Sequence, residues 1–446
     1  MPGTPRRRRT RRLTACSAVA AMALLTAAAC GSGGGSSSSS ASGTLKIITW
    51  DNPPAVSAIK AIDTAFHKKY PNITVDLQTA ADITGPYQTM LETDVDASSA
   101  DIVSWYPPAQ PLPLKPTRSN MTTWQFWTTN HVFEPLNGQS WLNNYTSSAD
   151  SAETYNGKTY GVVTGAYQEG VFYNKATFAT YHLAPPTTYT QFLTELNTLK
   201  SHNVTPMYVG LGGVGPVYLQ FLYNELIASV WYPHAPGGNL QTALASGSAK
   251  WTDAHFTTAM TEEKTLAKYL EPNYAGVPWE SMPGNFAKGD AAMLLDGSWD
   301  LPAIQQANPK IRVGYFPLPG SNTAADNQAF NQDNLTFSVL KTAPDQAAAL
   351  KWMAFFSSKP EYQQYVNMTG ISPSETGGTY NSFAATSMGS WFGKGVNATA
   401  AYPILSPSDG YWDQPNYWPE LQQDVINGSK TPAQVEALYQ SNWTKS

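Results

Sequence analysis

Apolar positions along the chain fall into two kinds of pattern. LTACSAVAAMALLTAAA (13–29) is one unbroken run of apolar and small residues, whereas beyond residue 44 apolar side chains recur in short periods. LKIITW (45–50) reads as a buried strand, and PAVSAIKAIDTAFHKKYP as an amphipathic helix with Val56, Ile59, Ile62 and Phe66 on one face. Pro71 lies just past its end, where a proline stops a helix. ITVDLQTA (73–80) and DIVSWY (101–106) read as further strands, separated by YQTMLETDVDASSA, which is helical at first. Alternating strands and helices predict an open α/β sheet with parallel strands.

The same reading continues downstream. KTYGVVTGAYQEGVFYNKATF holds two extended segments, and TYTQFLTELNTLKSH is a helix that buries Phe192, Leu193, Leu196 and Leu199. PVYLQFLYNELIASVW and FTTAMTEEKTLAKYL are helices, AAMLLDG is a short strand, and IRVGYFPLPG is a strand ending in a proline turn. PDQAAALKWMAFFSSKPEYQQYVN breaks near Pro360, and PELQQDVINGSKTPAQVEALYQSNW splits at Gly428.

The apolar run at 13–29 follows six arginines (Arg6–Arg9, Arg11, Arg12). A basic start, an apolar stretch and small residues at its end describe an export signal, and 17 residues fall short of the ~20 that a membrane-spanning helix needs. Cys16 has the better local spelling for a lipoprotein signal, but cleavage there leaves no apolar segment to cross the membrane. Cys30 has the right position and is therefore expected to be the lipidated first residue of the mature chain, as in bacterial lipoproteins. Residues 30–43 then form a lipidated cysteine and a Gly/Ser tether, spanning about 20 Å as a flexible coil. The export route, Sec or twin-arginine, stays open.

Without the six leader arginines, the 27 basic residues fall to 21 against 32 acids, a charge near −11. Nucleic acid is excluded as a partner, because its binding depends on cationic neutralisation of phosphates. Only Arg118 and Arg312 remain for bidentate capture of anions, so the expected ligand is neutral. Beyond Cys30 there is no cysteine, which excludes disulfides and thiolate metal sites. The six histidines are scattered, and no metal or other cofactor is expected. HExxH, G-x-S-x-G and P-loop motifs are absent, and N-x-S/T triplets such as Asn72-Ile73-Thr74 are chance in a Thr-rich chain. Aromatics are dense: 14 Trp, 24 Tyr and 16 Phe in a chain only 13% charged. Most belong to the core, and the excess fits a cleft that uses ring faces.

Four blocks occur in a meaningful order. They are NGKTYGVVTGAYQEGVFYNKATF (156–178), FAKGDAAMLLDGSWDLPAI (286–304), VGYFPLPG, and ALKWMAFFSSKPEYQQY followed by Gly370-Ile371-Ser372-Pro373. Together they resemble the family 1 extracellular solute-binding proteins of carbohydrate ABC transporters, of which maltose-binding protein is the best-known relative. The resemblance implies a two-lobed, type II periplasmic-binding-protein-like fold, each lobe an α/β sheet flanked by helices, joined by a hinge that the chain crosses more than once. The expected lobes are 44–165 with about 335–368, and 166–334 with about 369–446. Ligand would bind between the lobes, in keeping with the preference of small-molecule sites for domain interfaces and for strand carboxyl ends.

A pyranose offers apolar C–H faces, which suit aromatic rings, and a rim of hydroxyls that must be paired when buried. The resemblance implies that Trp105 and Trp299 are the stacking tryptophans of the two lobes, with Asp300 a hydroxyl acceptor. Tyr167 stands where the maltose-binding relative has a glutamate, which implies a different hydroxyl pattern, with Gln168 or Glu169 taking the polar role. Trp418 matches the family's late tryptophan, Trp412 competes with it, and one of the two is expected in the cleft. Trp50 and Asp51 end the first strand and point to a cleft; Asp51 could equally cap the next segment. Tyr218 opens a long helix after a Gly/Pro loop and joins the candidates.

The resulting expectation is a monomeric, non-enzymatic receptor, lipid-anchored through Cys30 outside the cytoplasmic membrane. It captures a mono- or oligosaccharide and delivers it to ABC permease subunits. The alternatives are a receptor for an osmolyte or peptide, since an aromatic cage also suits quaternary ammonium, and a secreted glycoside hydrolase, which needs two carboxyls about 5–10 Å apart.

Overall fold

In the computed structural model, residues 43–80, 85–105, 121, 123–147, 149, 153–212, 217–235, 240–397 and 418–445 are described. Cys30 and Trp412 lie outside them, and so does the Trp418 side chain.

The first sheet opens with β1 (Gly43–Trp50), β2 (Ile73–Ala80) and β3 (Ile102–Trp105), with β1 in the middle and parallel to both neighbours. The helix Pro53–Lys69 links β1 to β2. Asn52 caps it, its side chain accepting the Ala55 N–H at 3.2 Å. His67, Lys68 and Lys69 in the last turn complement the negative end of the helix dipole. Val56, Ile59, Ile62 and Phe66 are buried, as the periodicity predicts.

After a small hairpin of β4 (Thr154–Tyr155) and β5 (Lys158–Thr159) comes β6 (Val162–Val163), which belongs to the first sheet. β7 (Gly165–Asn174) is the spine of a second sheet. β8 (Met207–Tyr208), β9 (Met293–Gly297), β10 (Val313–Phe316) and β11 (Phe330–Asp333) complete most of that sheet, and β9, β10 and β11 all run antiparallel to β7. The chain then returns to the first sheet with β12 (Thr336–Val339), and adds β13 (Ser372–Pro373) and β14 (Val396–Asn397) to the second.

The first sheet has the order β2-β1-β3-β12-β6. Its parallel part is the three strands read from the sequence. β12 and β6 are antiparallel to their neighbours, so the sheet is mixed rather than wholly parallel. The reason is connectivity: parallel neighbours need a long crossover, whereas β12 arrives directly from the second sheet.

Each sheet carries its own buried apolar cluster under flanking helices, which makes the molecule two-lobed. The chain passes between sheets three times: between Val163 and Gly165, between Asp333 and Thr336, and between Thr369 and Ser372. These crossings are tied together. The Thr164 N–H donates to the Leu335 carbonyl at 2.8 Å, and the Asn334 N–H to the Gly165 carbonyl at 2.7 Å. The buried Tyr362 hydroxyl donates to the Thr164 carbonyl at 2.8 Å and accepts the Ser374 N–H at 2.6 Å.

Candidate functional site

Two groups of rings stand at strand ends. In the first lobe, β1 ends at Trp50 and β3 at Trp105, two strands that lie side by side. Tyr87, from the helix Gly85–Asp96, stacks on Trp105 at 5.8 Å and 12°, and meets Trp50 edge-on at 5.8 Å. Trp50 and Trp105 are themselves edge to face at 6.4 Å. Burial alone would not order Tyr87 in this way; its hydroxyl donates to the Ser104 carbonyl beside Trp105 and lies 3.4 Å from that of Ile48. The phenol is thus fixed to both strands, and burial keeps it un-ionised by raising its pKa. Trp50 is buried and Trp105 half-buried.

In the second lobe, β9 ends at Gly297 and runs through the turn Ser298–Asp300 into the helix Leu301–Ala307. The half-buried Trp299 projects from this turn. It meets Tyr167 of β7 edge-on, with ring centroids 4.5 Å apart at 86°, and Phe221 of the helix Val217–Val230 at 5.6 Å. Phe221 in turn meets Tyr218 at 4.9 Å. Tyr167 belongs to the apolar cluster of the first lobe, and Trp299 packs against that same cluster. The rings of the second lobe therefore adjoin the first lobe across the crossing at Gly165.

Beside these rings lie two carboxyls. Asp296 Oδ1 accepts the Gly297 N–H at 2.8 Å and faces the Tyr218 hydroxyl at 3.5 Å. Asp296 and Asp300 interact directly. Burial raises Asp300 to about 6, and burial together with the charge of Asp300 raises Asp296 well above the carboxylate range. Burial and the two aspartates push the Tyr218 phenol up as well.

The remaining candidates fall elsewhere. The Gln168 amide is occupied: its Nε2 donates to the carbonyls of Trp391 and Lys394 at 2.9 and 2.6 Å, and its Oε1 accepts the Gly393 N–H at 3.2 Å. It pins the 391–394 turn. Glu169 is wholly buried in the second lobe, its pKa raised by burial and by Glu225. Asp51 is exposed at the end of β1, and the capping role open to it is filled by Asn52. Trp418 opens the helix Trp418–Asn427.

Tyr87, Phe221 and Asp296 escaped the sequence reading. Tyr87 and Phe221 sit on helices, the second of them buried on nearly every side, where a ring reads as core. Asp296 did leave a signal: it is the one charge in MLLDG, a strand buried throughout, and a carboxyl there requires a partner. Among the described residues no group of acids, histidines or cysteines is arranged to hold a metal, and no helix is long and apolar enough to cross a membrane.

A two-lobed α/β molecule with ring-lined strand ends beside its inter-lobe crossings has the architecture in which small solutes are held. The profile of the bacterial extracellular solute-binding proteins matches residues 49–363, and the chain belongs to that family. It is 25% identical over 317 residues to the multiple sugar-binding protein of Streptococcus mutans, covering 70% of this chain and 71% of that one. It is 21% identical to the melibiose/raffinose/stachyose-binding protein MelE of Bacillus subtilis, over 48% of this chain and half of the relative. Among solved structures, RafE in complex with raffinose superposes with a TM-score of 0.71 at 19% identity, covering 90% of this chain and all of that one. A Bacillus licheniformis sugar transporter in complex with stachyose gives 0.69 at 17% identity, covering 90% and 99%. These superpositions establish the fold.

Proposed function

We propose that this protein is the substrate-binding component of a carbohydrate ABC importer. It captures a mono- or oligosaccharide between its lobes, roughly 44–165 with 335–368 and 166–334 with 369–446, and presents it to membrane permease subunits. The observation that carries this reading is the pairing of a Trp50–Tyr87–Trp105 cluster on one lobe with a Tyr167–Trp299–Phe221 cluster on the other. Ligand drives closure only through its higher affinity for the closed form. Ring faces on both lobes supply that difference, since both engage one sugar only when the cleft shuts. Trp105 and Trp299 supply apolar faces, Trp50 and Tyr167 line the site as the rings packed against them, Asp300 and Asp51 accept hydroxyls, and Trp412 or Trp418 adds a further ring. Tyr218 acts through Asp296, and Gln168 supports the loop beside Tyr167. Raffinose and stachyose, held by proteins of the same fold, are the first ligands to try.

The receptor works as a monomer outside the cytoplasmic membrane, anchored by a lipid on Cys30. Cys30→Ala should release it from the membrane fraction; a mutant that stays wholly membrane-bound would sink the anchor. The function is tested by calorimetric titration of the ligand-stripped protein against mono- and oligosaccharides including raffinose and stachyose. One-to-one binding with the sugar unchanged is expected. New sugar products would revive the hydrolase, and silence across the panel would overturn the sugar reading.

A further inference from the structure

We infer that Asp296 is a positioning residue that shares one proton with Asp300, and so holds Asp300 as a single ionised acceptor for a hydroxyl or amine of the ligand. The role of Asp300 toward the ligand rests on the binding reading above; the shared proton does not.

The geometry carries the argument. Asp296 Oδ2 and Asp300 Oδ2 are both buried and neither meets a donor, and the two residues flank one short turn, Asp296 at the end of β9 and Asp300 closing the turn, where their carboxyls act on each other. Two ionised carboxylates at such range repel, and two buried acceptor-only oxygens each lose their solvation unpaired. One proton held on Asp296 and shared with Asp300 removes both problems. The proton belongs on Asp296 because it is the more deeply placed, at 1% exposure against 7% for Asp300. The other oxygen of Asp296 is already taken by the Gly297 N–H and the Tyr218 hydroxyl. A chain therefore runs from Tyr218 through Asp296 to Asp300, and only Asp300 is left to serve a ligand.

The surroundings add no competing charge. The helix Val217–Val230 contributes Tyr218, and the turn after β9 contributes Asp300. On β7, Glu169 lies in register with Gly297, but its carboxyl acts on Glu225 rather than on the aspartates. Among the described residues no lysine, arginine or histidine acts on the pair. The single negative charge sits beside Trp299, one residue away in the turn, so a sugar stacked on that ring brings its rim hydroxyls to an acceptor that has nothing of its own to donate. The site thereby selects for a donor at that position and against a deoxy or methyl-ether analogue.

Two measurements test this. In the full chain without ligand, carbon-13 labelling of the aspartate carboxyls, assigned with Asp296→Asn and Asp300→Asn, should show one neutral carboxyl at pH 7 and a coupled partner titrating near 6. Both carboxyls titrating below pH 5 would overturn the proposal whether or not any sugar binds. With raffinose as probe, Asp296→Leu should bind about tenfold to a hundredfold more weakly. Asp296→Asn, whose amide still donates, should recover much of that loss and move the acid limb of binding to lower pH. Equal weakening by Leu and Asn with an unmoved acid limb would assign Asp296 a merely structural role. If raffinose fails to bind the wild type while the carboxyl titration is as expected, the sugar reading and the acceptor role built on it fall, and the shared proton stands.

Discussion

Trp299 lies back over Gly297: a side-chain carbon placed on Gly297 would fall 1.8 Å from the indole ring. The backbone there is ordinary extended chain, at φ −110°. Glycine is thus needed for space, not for conformational freedom. It lets the ring rest against its own turn, between Tyr167 and Phe221. Gly297→Ala must swing the indole out of that seat. Sugar affinity should fall about tenfold or more, at a stability cost of about 1–3 kcal/mol from overpacking. Calorimetric titration alongside thermal unfolding checks it, and unchanged affinity would remove the ring's position from the binding account.

Removing the ring itself separates binding from folding. Trp299 is only half-buried, so Trp299→Ala should leave the second lobe folded. It should weaken sugar binding by about 1.5–3 kcal/mol, the worth of burying a large apolar side chain against the ligand. A native circular-dichroism spectrum with near-native affinity would take Trp299 out of the site. Trp105→Ala in the opposite lobe should weaken binding similarly, because closure needs both faces.

Tyr362 joins two of the three inter-lobe crossings through one hydroxyl, between the Thr164 carbonyl and the Ser374 N–H. Tyr362→Phe keeps the ring and leaves those two groups without that partner. Unsatisfied buried polar groups cost about 1–3 kcal/mol, so the denaturant midpoint should drop accordingly. An unshifted midpoint would show that the crossings do not depend on this bridge.

The buried acids set the direction of the pH dependence. Burial raises Asp63 to about 7, and Glu153 and Glu262 to about 8, from ordinary values of 3.8 and 4.5. Trp352 donates to Asp63 at 2.8 Å and Thr336 to Glu153 at 2.7 Å, but burial outweighs both bonds. Between pH 5 and 8 the unfolded chain has lost these protons while the folded chain retains them. The unfolded state binds fewer protons, so stability falls as pH rises. The contribution is complete below about pH 4 and lost by about pH 8. Thermal unfolding should give a midpoint a few degrees higher at pH 5.5 than at pH 8; a rising midpoint would contradict the assignment of these carboxyls as protonated.

Much of the local structure was legible. The continuous apolar run of LKIITW, and the spacing of Val56, Ile59, Ile62 and Phe66, report burial that each segment undergoes whatever its neighbours. Pro360 likewise marks the first turn of the helix Lys359–Thr369, because its ring and missing N–H are tolerated only there. Trp299, Asp300 and Tyr167 are all implied by the family resemblance, and the structure sets Trp299 against Tyr167. Tyr87 and Asp296 were not found. A helical tyrosine reads the same whether it packs in a core or stacks on Trp105, and Asp296 acquires its meaning only from Asp300 and Tyr218, which lies 78 residues away.

What the sequence determined alone was therefore what hydrophobic period, proline, charge and motif order encode: an α/β chain of this family, with its strands, its helices and a short list of rings. What only the tertiary structure decided was long-range. β12 closes the first sheet antiparallel, Asn52 and not Asp51 caps the first helix, the Gln168 amide is spent on the 391–394 turn, and Asp296 meets Asp300 beside Trp299. Period and propensity act over a few residues, whereas burial, orphaned hydrogen-bonding groups and contact between like charges exist only once distant segments have been brought together.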